Sequence, residues 1–140
     1  MNIAVTATSV LPSAMVMDGI RAMAKATVGA VLILEHDELL GIFSERDLMI
    51  RVVSANKNPE TTRIADVMTA PVLTIPRDMA EDDVLNLMWA RHIRHLPIVD
   101  EFGVVEGVVS IRHLLHQKVE NLTQELDSLE AYISADGIGG

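Results

Sequence analysis

Two pairs of histidines, His92 with His95 and His113 with His116, stand three residues apart, the spacing at which two imidazoles on one helix face can share a metal ion. Only the second pair keeps that geometry in a helix, because His95 is expected to open a strand and turn away from His92. Ser44-x-x-Asp47 follows an apolar run. At a strand-to-helix junction this spacing is first of all an N-cap, with the serine oxygen accepting from the amide three residues on. Ser110 repeats the pattern with His113 in place of the acid. Arg91, His92 and Arg94 read as cations at a helix end, and Glu81, Asp82 and Asp83 as acids at a helix start, both complementing the helix dipole. Nucleophilic or phosphate-transfer chemistry has no support: the chain has no cysteine, no Gly-x-Ser-x-Gly elbow, no phosphate-binding glycine loop and no His-Glu-x-x-His. These residues suit a binding module and not an enzyme.

Composition narrows the partners. The 140 residues carry 11 Lys plus Arg against 20 Asp plus Glu, a net charge of -9 that repels nucleic acid and anionic lipid while leaving room for a local basic pocket. Without cysteine there are no disulfides. No apolar run reaches the roughly 18 residues of a membrane span, and the N-terminus lacks the pattern of a signal peptide. A cytoplasmic protein is expected. With aromatic residues at 3%, the core falls to Val, Ile, Leu, Ala and Met, the eight methionines serving as filler.

The elements that must hold these groups are those of an α/β domain. Ala30 to Leu34 is an apolar run suited to a buried strand, and Leu39 to Phe43 follows after a polar turn, which reads as a hairpin. Leu96 to Val99 and Val104 to Val109 form a second hairpin of the same kind. Gly41 to Leu48 lies over Gly107 to Leu114 at an offset of 66 with Gly, Ser, Arg and Leu identical. Upstream of the hairpin turn the offset is 65, which sets Ser9 on Thr74, Ile20 on Leu85, Met23 on Met88 and Val28 on Ile93. A fixed internal period means a repeat architecture. Each unit is predicted as β-α-β-β-α: repeat 1 over residues 1–56, a polar linker at 57–63, repeat 2 over 64–117. Asp78 with Glu81 is expected to box the start of the second unit's first helix, and Ser44 to cap a helix from about Glu45 to Val53.

Taken together, Asp66-Val67-Met68 before Val72 to Pro76, the run Arg94-His95-Leu96-Pro97-Ile98-Val99-Asp100, and Gly41 to Asp47 with its serine and acid resemble the tandem cystathionine-β-synthase (CBS) domain pair, or Bateman module. The likeness spans roughly Ala7 to His116. It implies two repeats packed with pseudo-two-fold symmetry, two clefts between them, an adenosine-containing ligand in one or both, and a regulatory role. Carried over residue by residue, the first cleft would join Ser44, Arg46 and Asp47 to Thr74, Arg94, His95 and Leu96. There the Asp47 carboxylate would accept from ribose hydroxyls and Arg94 would face phosphate. The second, degenerate cleft would join Ser110, Arg112 and His113 to Ser9, Gly29, Ala30 and Val31, lacking both the acid and a facing cation. AMP, ADP or ATP would be the ligand of such a module.

Beyond the repeats, Leu115, Val119, Leu122, Leu126, Leu129 and Ile133 recur at heptad spacing in an otherwise polar stretch. A C-terminal helix over 118–135 is predicted to pair two chains as a homodimer, with 136–140 as a flexible tail. The alternative is a helix folded back over its own module. Two other functions compete with nucleotide sensing: a structural dimerisation module with vestigial clefts, and a histidine-based metal sensor.

Overall fold

A computed structural model describes residues 6–135. The first repeat runs β1 (Ser9–Val10), α1 (Val16–Ala26), β2 (Ala30–Glu35), β3 (Glu38–Ser44) and α2 (Glu45–Asp47), the last continuing as a π-helix over Leu48–Val53. After a 3-10 turn at Ile64–Asp66 the second repeat runs β4 (Ile75–Pro76), α3 (Glu81–Arg91), β5 (His95–Val99), β6 (Val105–Ser110) and α4 (Ile111–Ala135). Each repeat builds a three-stranded sheet, β1-β2-β3 and β4-β5-β6, with one parallel and one antiparallel pairing.

The internal period is visible in the strand register. Ala30 pairs with Ser44 and His95 with Ser110; Ile33 pairs with Gly41 and Ile98 with Gly107; both hairpins shift register directly after those isoleucines. Helices α1 and α3 both end on a left-handed residue, Thr27 and His92, 65 apart. The apolar strands and the buried helix faces gather into two clusters. One holds Val16, Met23, Val31, Ile33, Phe43 and Val52, and the other holds Ile75, Val84, Met88, Leu96, Ile98, Val109 and Leu114.

Ile64 and Val67 join the first cluster although the sequence places them in the second repeat. Backbone bonds explain this: Val16 N donates to Thr62 O, Ile64 N to Ala14 O, and Ile42 and Thr69 exchange both bonds. The connection between repeats is therefore docked on the first one. Its fit uses two small residues, with Ile64 Cδ1 filling the space a Cβ on Gly19 would need and the Met68 sulfur doing the same at Gly41.

Three local expectations need correction. Helix α3 begins after Ala80 with no side-chain cap, because Met79 N donates to Pro76 O and commits Asp78 to a turn; Glu81, Asp82 and Asp83 occupy the first helical turn instead. The helix expected over Glu45 to Val53 widens to π geometry after Asp47, with Ser54 N reaching Met49 O at 2.9 Å. Finally, no break separates repeat 2 from the C-terminal helix, since α4 runs unbroken for 25 residues, and it does not fold back: Val119, Leu126 and Leu129 stay 54 to 60% exposed. Residues 136–140, expected as a flexible tail, lie outside the described residues.

Candidate functional site

A cleft of about 1020 Å³ opens between the two repeats. The start of β2 and the start of β5 form its floor, and the N-terminus of α4 forms one wall. Two backbone bonds fix these segments: Glu45 N donates to Gly29 O at 3.0 Å, and its counterpart Ile111 N donates to Arg94 O at 2.9 Å. Thr8 is held to the sheet by Leu32 N donating to its carbonyl at 2.9 Å.

The cleft collects Arg94 and Arg112 with His95, His113 and His116, against a single carboxylate, Glu45. In a chain of net charge -9, two guanidinium groups against one carboxylate make a local excess of positive charge. Thr6, Thr8, Thr27 and Ser110 add hydroxyls, and Ala30, Leu32, Ile42 and Val108 supply apolar floor. Compact hydroxyls, apolar floor and guanidinium groups are the donor set for a sugar, a ring and an anion respectively. Ser110 Oγ accepts from His113 N and lies 3.2 Å from His113 Nδ1, so Ser110 caps α4 and orients the imidazole at once.

His95 is the perturbed group. Burial holds its imidazole below the usual 6.5, the Arg94 charge pushes the same way, and Glu45 opposes both. Its ring packs so tightly over Gly29 that a Cβ there would sit 3.2 Å from Cε1 and Nε2.

The grouping differs from the one expected. Arg94 and His95 face Ser110, Arg112, His113, Gly29 and Ala30, which the resemblance puts in the other cleft. The cleft expected to lack a facing cation thus has one, and what places it is the Ile111-to-Arg94 backbone bond, which extends the β5-β6 hairpin of the same repeat by one rung beyond His95 and Ser110. Thr74 lines a different depression of about 860 Å³ beside the two hairpin turns, with Leu40, Pro71, Val72 and Phe102. Leu96 and Val31 are fully buried core residues, while Ser9 and Arg46 are exposed and outside the cleft.

Ser44 and Asp47 also lie outside it. Asp47, 8% exposed, accepts from Ser44 N at 2.9 Å and Ser44 Oγ at 3.1 Å on Oδ2, and from Thr69 Oγ1 at 3.0 Å on Oδ1; Arg51 Nε stands 3.6 Å away. Arg51 also donates to Met68 O at 2.8 Å. The acid expected to hold ribose here caps α2 and accepts from Thr69 of the inter-repeat connection. Thr6, Thr8, Glu45, Leu115 and Val119 also line the cleft, although their residue types and spacing carry no binding motif. The repeat carried a signal for Glu45, which takes the position of Ile111 at a helix start.

For metal binding, no group of three or more potential ligands occurs among the described residues. His92 caps α3 and is exposed, and His116 Nε2 lies 3.1 Å from Glu120 Oε1. No helix among the described residues is long and apolar enough to cross a membrane.

The chain belongs to the CBS domain family, which matches it twice, over residues 5–54 and 64–120. An uncharacterised protein of Methanopyrus kandleri is 44% identical over 89 residues, 63% of this chain and 45% of that one. The mitochondrial CBS domain-containing protein CBSX3 of Arabidopsis thaliana is 29% identical over 123 residues, covering 84% of this chain and 59% of its own. The chain spans about half the length of these curated relatives. Among solved structures, a Burkholderia ambifaria protein with CBS domains superposes with a TM-score of 0.78 at 30% identity, over 84% of this chain and 85% of the other. A Pyrobaculum aerophilum CBS domain protein, complexed with AMP, shares the fold with a TM-score of 0.70 at 23% identity, over 78% and 83%.

Proposed function

We propose that this CBS pair is a regulatory sensing module whose cleft between the repeats binds an adenosine-containing nucleotide. The observation that carries the reading is the convergence of Arg94 and Arg112, beside His95 and His113, on one cleft of an acidic chain. The guanidinium groups would take the phosphate by charged hydrogen bonds, Thr6, Thr8 and Ser110 the ribose hydroxyls, and the apolar floor of Ala30, Leu32 and Ile42 the base. The fold itself is one that holds AMP in the Pyrobaculum aerophilum protein. In this reading Asp47 is structural, and one nucleotide is bound per chain.

A thermal-unfolding panel with AMP, ADP, ATP, NAD and S-adenosylmethionine tests the proposal. A ligand of the native state at 100 times its Kd adds about 2.7 kcal/mol of stability. A phosphate-bearing nucleotide should raise the midpoint and adenosine alone should raise it much less. No shift with any of them leaves the second reading, a structural module that joins two chains, for which the exposed Leu115 to Ile133 stripe speaks.

A further inference from the structure

Helix α4 carries two features that meet. Its stripe of Leu115, Val119, Leu122, Leu126, Leu129 and Ile133 is 39 to 60% exposed, a seam that one chain leaves uncovered over about 27 Å of helix. The first turns of the same seam, Leu115 and Val119, together with the adjoining His116, form the open wall of the cleft. A helix laid over these first turns of the seam therefore also borders the cleft.

The spacing of 4, 3, 4, 3, 4 identifies the occupant as another helix with the same repeat, and a second copy of this chain supplies one. Flanking charges set its direction. In a parallel, in-register pair each Glu125 lies beside Glu130 of the other copy, a like-charge contact made twice. In an antiparallel pair centred between Leu122 and Leu126, Glu130 of the second copy instead meets His116, and only one Glu125 to Glu125 contact remains. That arrangement also sets Leu115 against Ile133 and Val119 against Leu129 of the second copy.

We infer that two copies pair antiparallel along α4, so that the end of each helix, with Glu130 and Ile133, closes the mouth of the other copy's cleft at His116 and Leu115. Cleft occupancy and dimerisation are then thermodynamically linked: a ligand enclosed by the second copy favours the dimer by the factor by which the dimer favours the ligand. The pairing stands on the seam and its charges alone; the linkage rests on the nucleotide reading of the cleft.

Because the chain has no cysteine, single substitutions report the geometry cleanly. Val119→Cys and Leu129→Cys chains, mixed and mildly oxidised, should give a crosslinked heterodimer. Val119→Cys alone should not, since in the antiparallel pair its two copies lie about 15 Å apart along the axis. Crosslinking of Val119→Cys alone would overturn the direction, and a monomeric wild-type chain by light scattering would overturn the pairing. For the linkage, Leu129→Glu, which lies outside its own cleft, should abolish the dimer and weaken AMP binding several-fold. Unchanged affinity in that monomer would overturn it. If the wild-type chain binds no nucleotide while the mixed crosslink still forms, the sensing proposal fails and the antiparallel pairing holds.

Discussion

The imidazole of His95 lies over Gly29, close enough that a Cβ at that glycine would meet Cε1 and Nε2 at 3.2 Å and the Glu45 carboxylate at 2.6 Å. One repeat thus leaves out a side chain so that the other can place a histidine at the floor of the cleft. Glu45 ends in a flexible carboxylate and can swing away, whereas the half-buried ring of His95 has to shift by a few tenths of an ångström. Gly29→Ala should therefore cost about 1 kcal/mol by overpacking and weaken nucleotide binding, as read by chemical unfolding and calorimetry. A variant with native stability and affinity would show that the ring is not held there.

The depressed His95 pKa has a sign that can be measured. The folded state resists protonating this ring while the unfolded chain accepts a proton near 6.5, so the native protein binds fewer protons below that pH. Stability from the neutral ring is complete above about 6.5 and is lost as pH falls from there towards the lower folded value. Thermal unfolding of the ligand-free protein between about pH 7.5 and 5.5 should show the wild type losing more stability than His95→Gln. Parallel curves would mean that His95 titrates normally.

Asp47 should matter for stability and not for ligand. Removing its carboxylate strips Ser44 N and Oγ and the Thr69 hydroxyl of their acceptor, so Asp47→Ala should cost about 2 kcal/mol. On the protein that remains folded, nucleotide affinity should be unchanged. A tenfold loss of affinity would return Asp47 to the binding site.

Much of the fold is legible because the repeat writes each element twice. Once Gly41 to Leu48 is set over Gly107 to Leu114, the hairpins and the helices follow from local pattern, whereas the αL conformation shared by Thr27 and His92 does not, since neither residue type announces it. The site is less legible for the opposite reason. Sequence identifies Arg94, His95, Arg112 and His113 as groups worth attention, and the predicted β5-β6 hairpin already sets Arg94 beside Ile111, but which part of the first repeat lies opposite is decided by packing between the repeats, which brings Gly29 and Glu45 against His95. Asp47 illustrates the same limit. Its motif fits capping and ribose binding equally, and only Thr69, 22 residues away, shows that its second oxygen is already engaged.

The seam on α4 should be needed for association and dispensable for folding of one chain, since Leu122, Leu126 and Leu129 touch no core. Leu126→Asp should give a monomer with a cooperative transition whose midpoint no longer depends on protein concentration. A dimer that survives this change and also survives ending the chain at Gln117 would place the interface elsewhere.

Calorimetric titration of AMP into the wild type and into Arg94→Ala tests the sensing claim most directly. Arg94 is exposed and outside both core clusters, so its removal should leave the fold intact. A charged hydrogen bond to phosphate contributes about 1.5 to 3 kcal/mol, so saturable binding at one site per wild-type chain should weaken about tenfold or more in the variant. Equal affinity in the two proteins, or no binding by the wild type of AMP, ADP or ATP, would contradict the account.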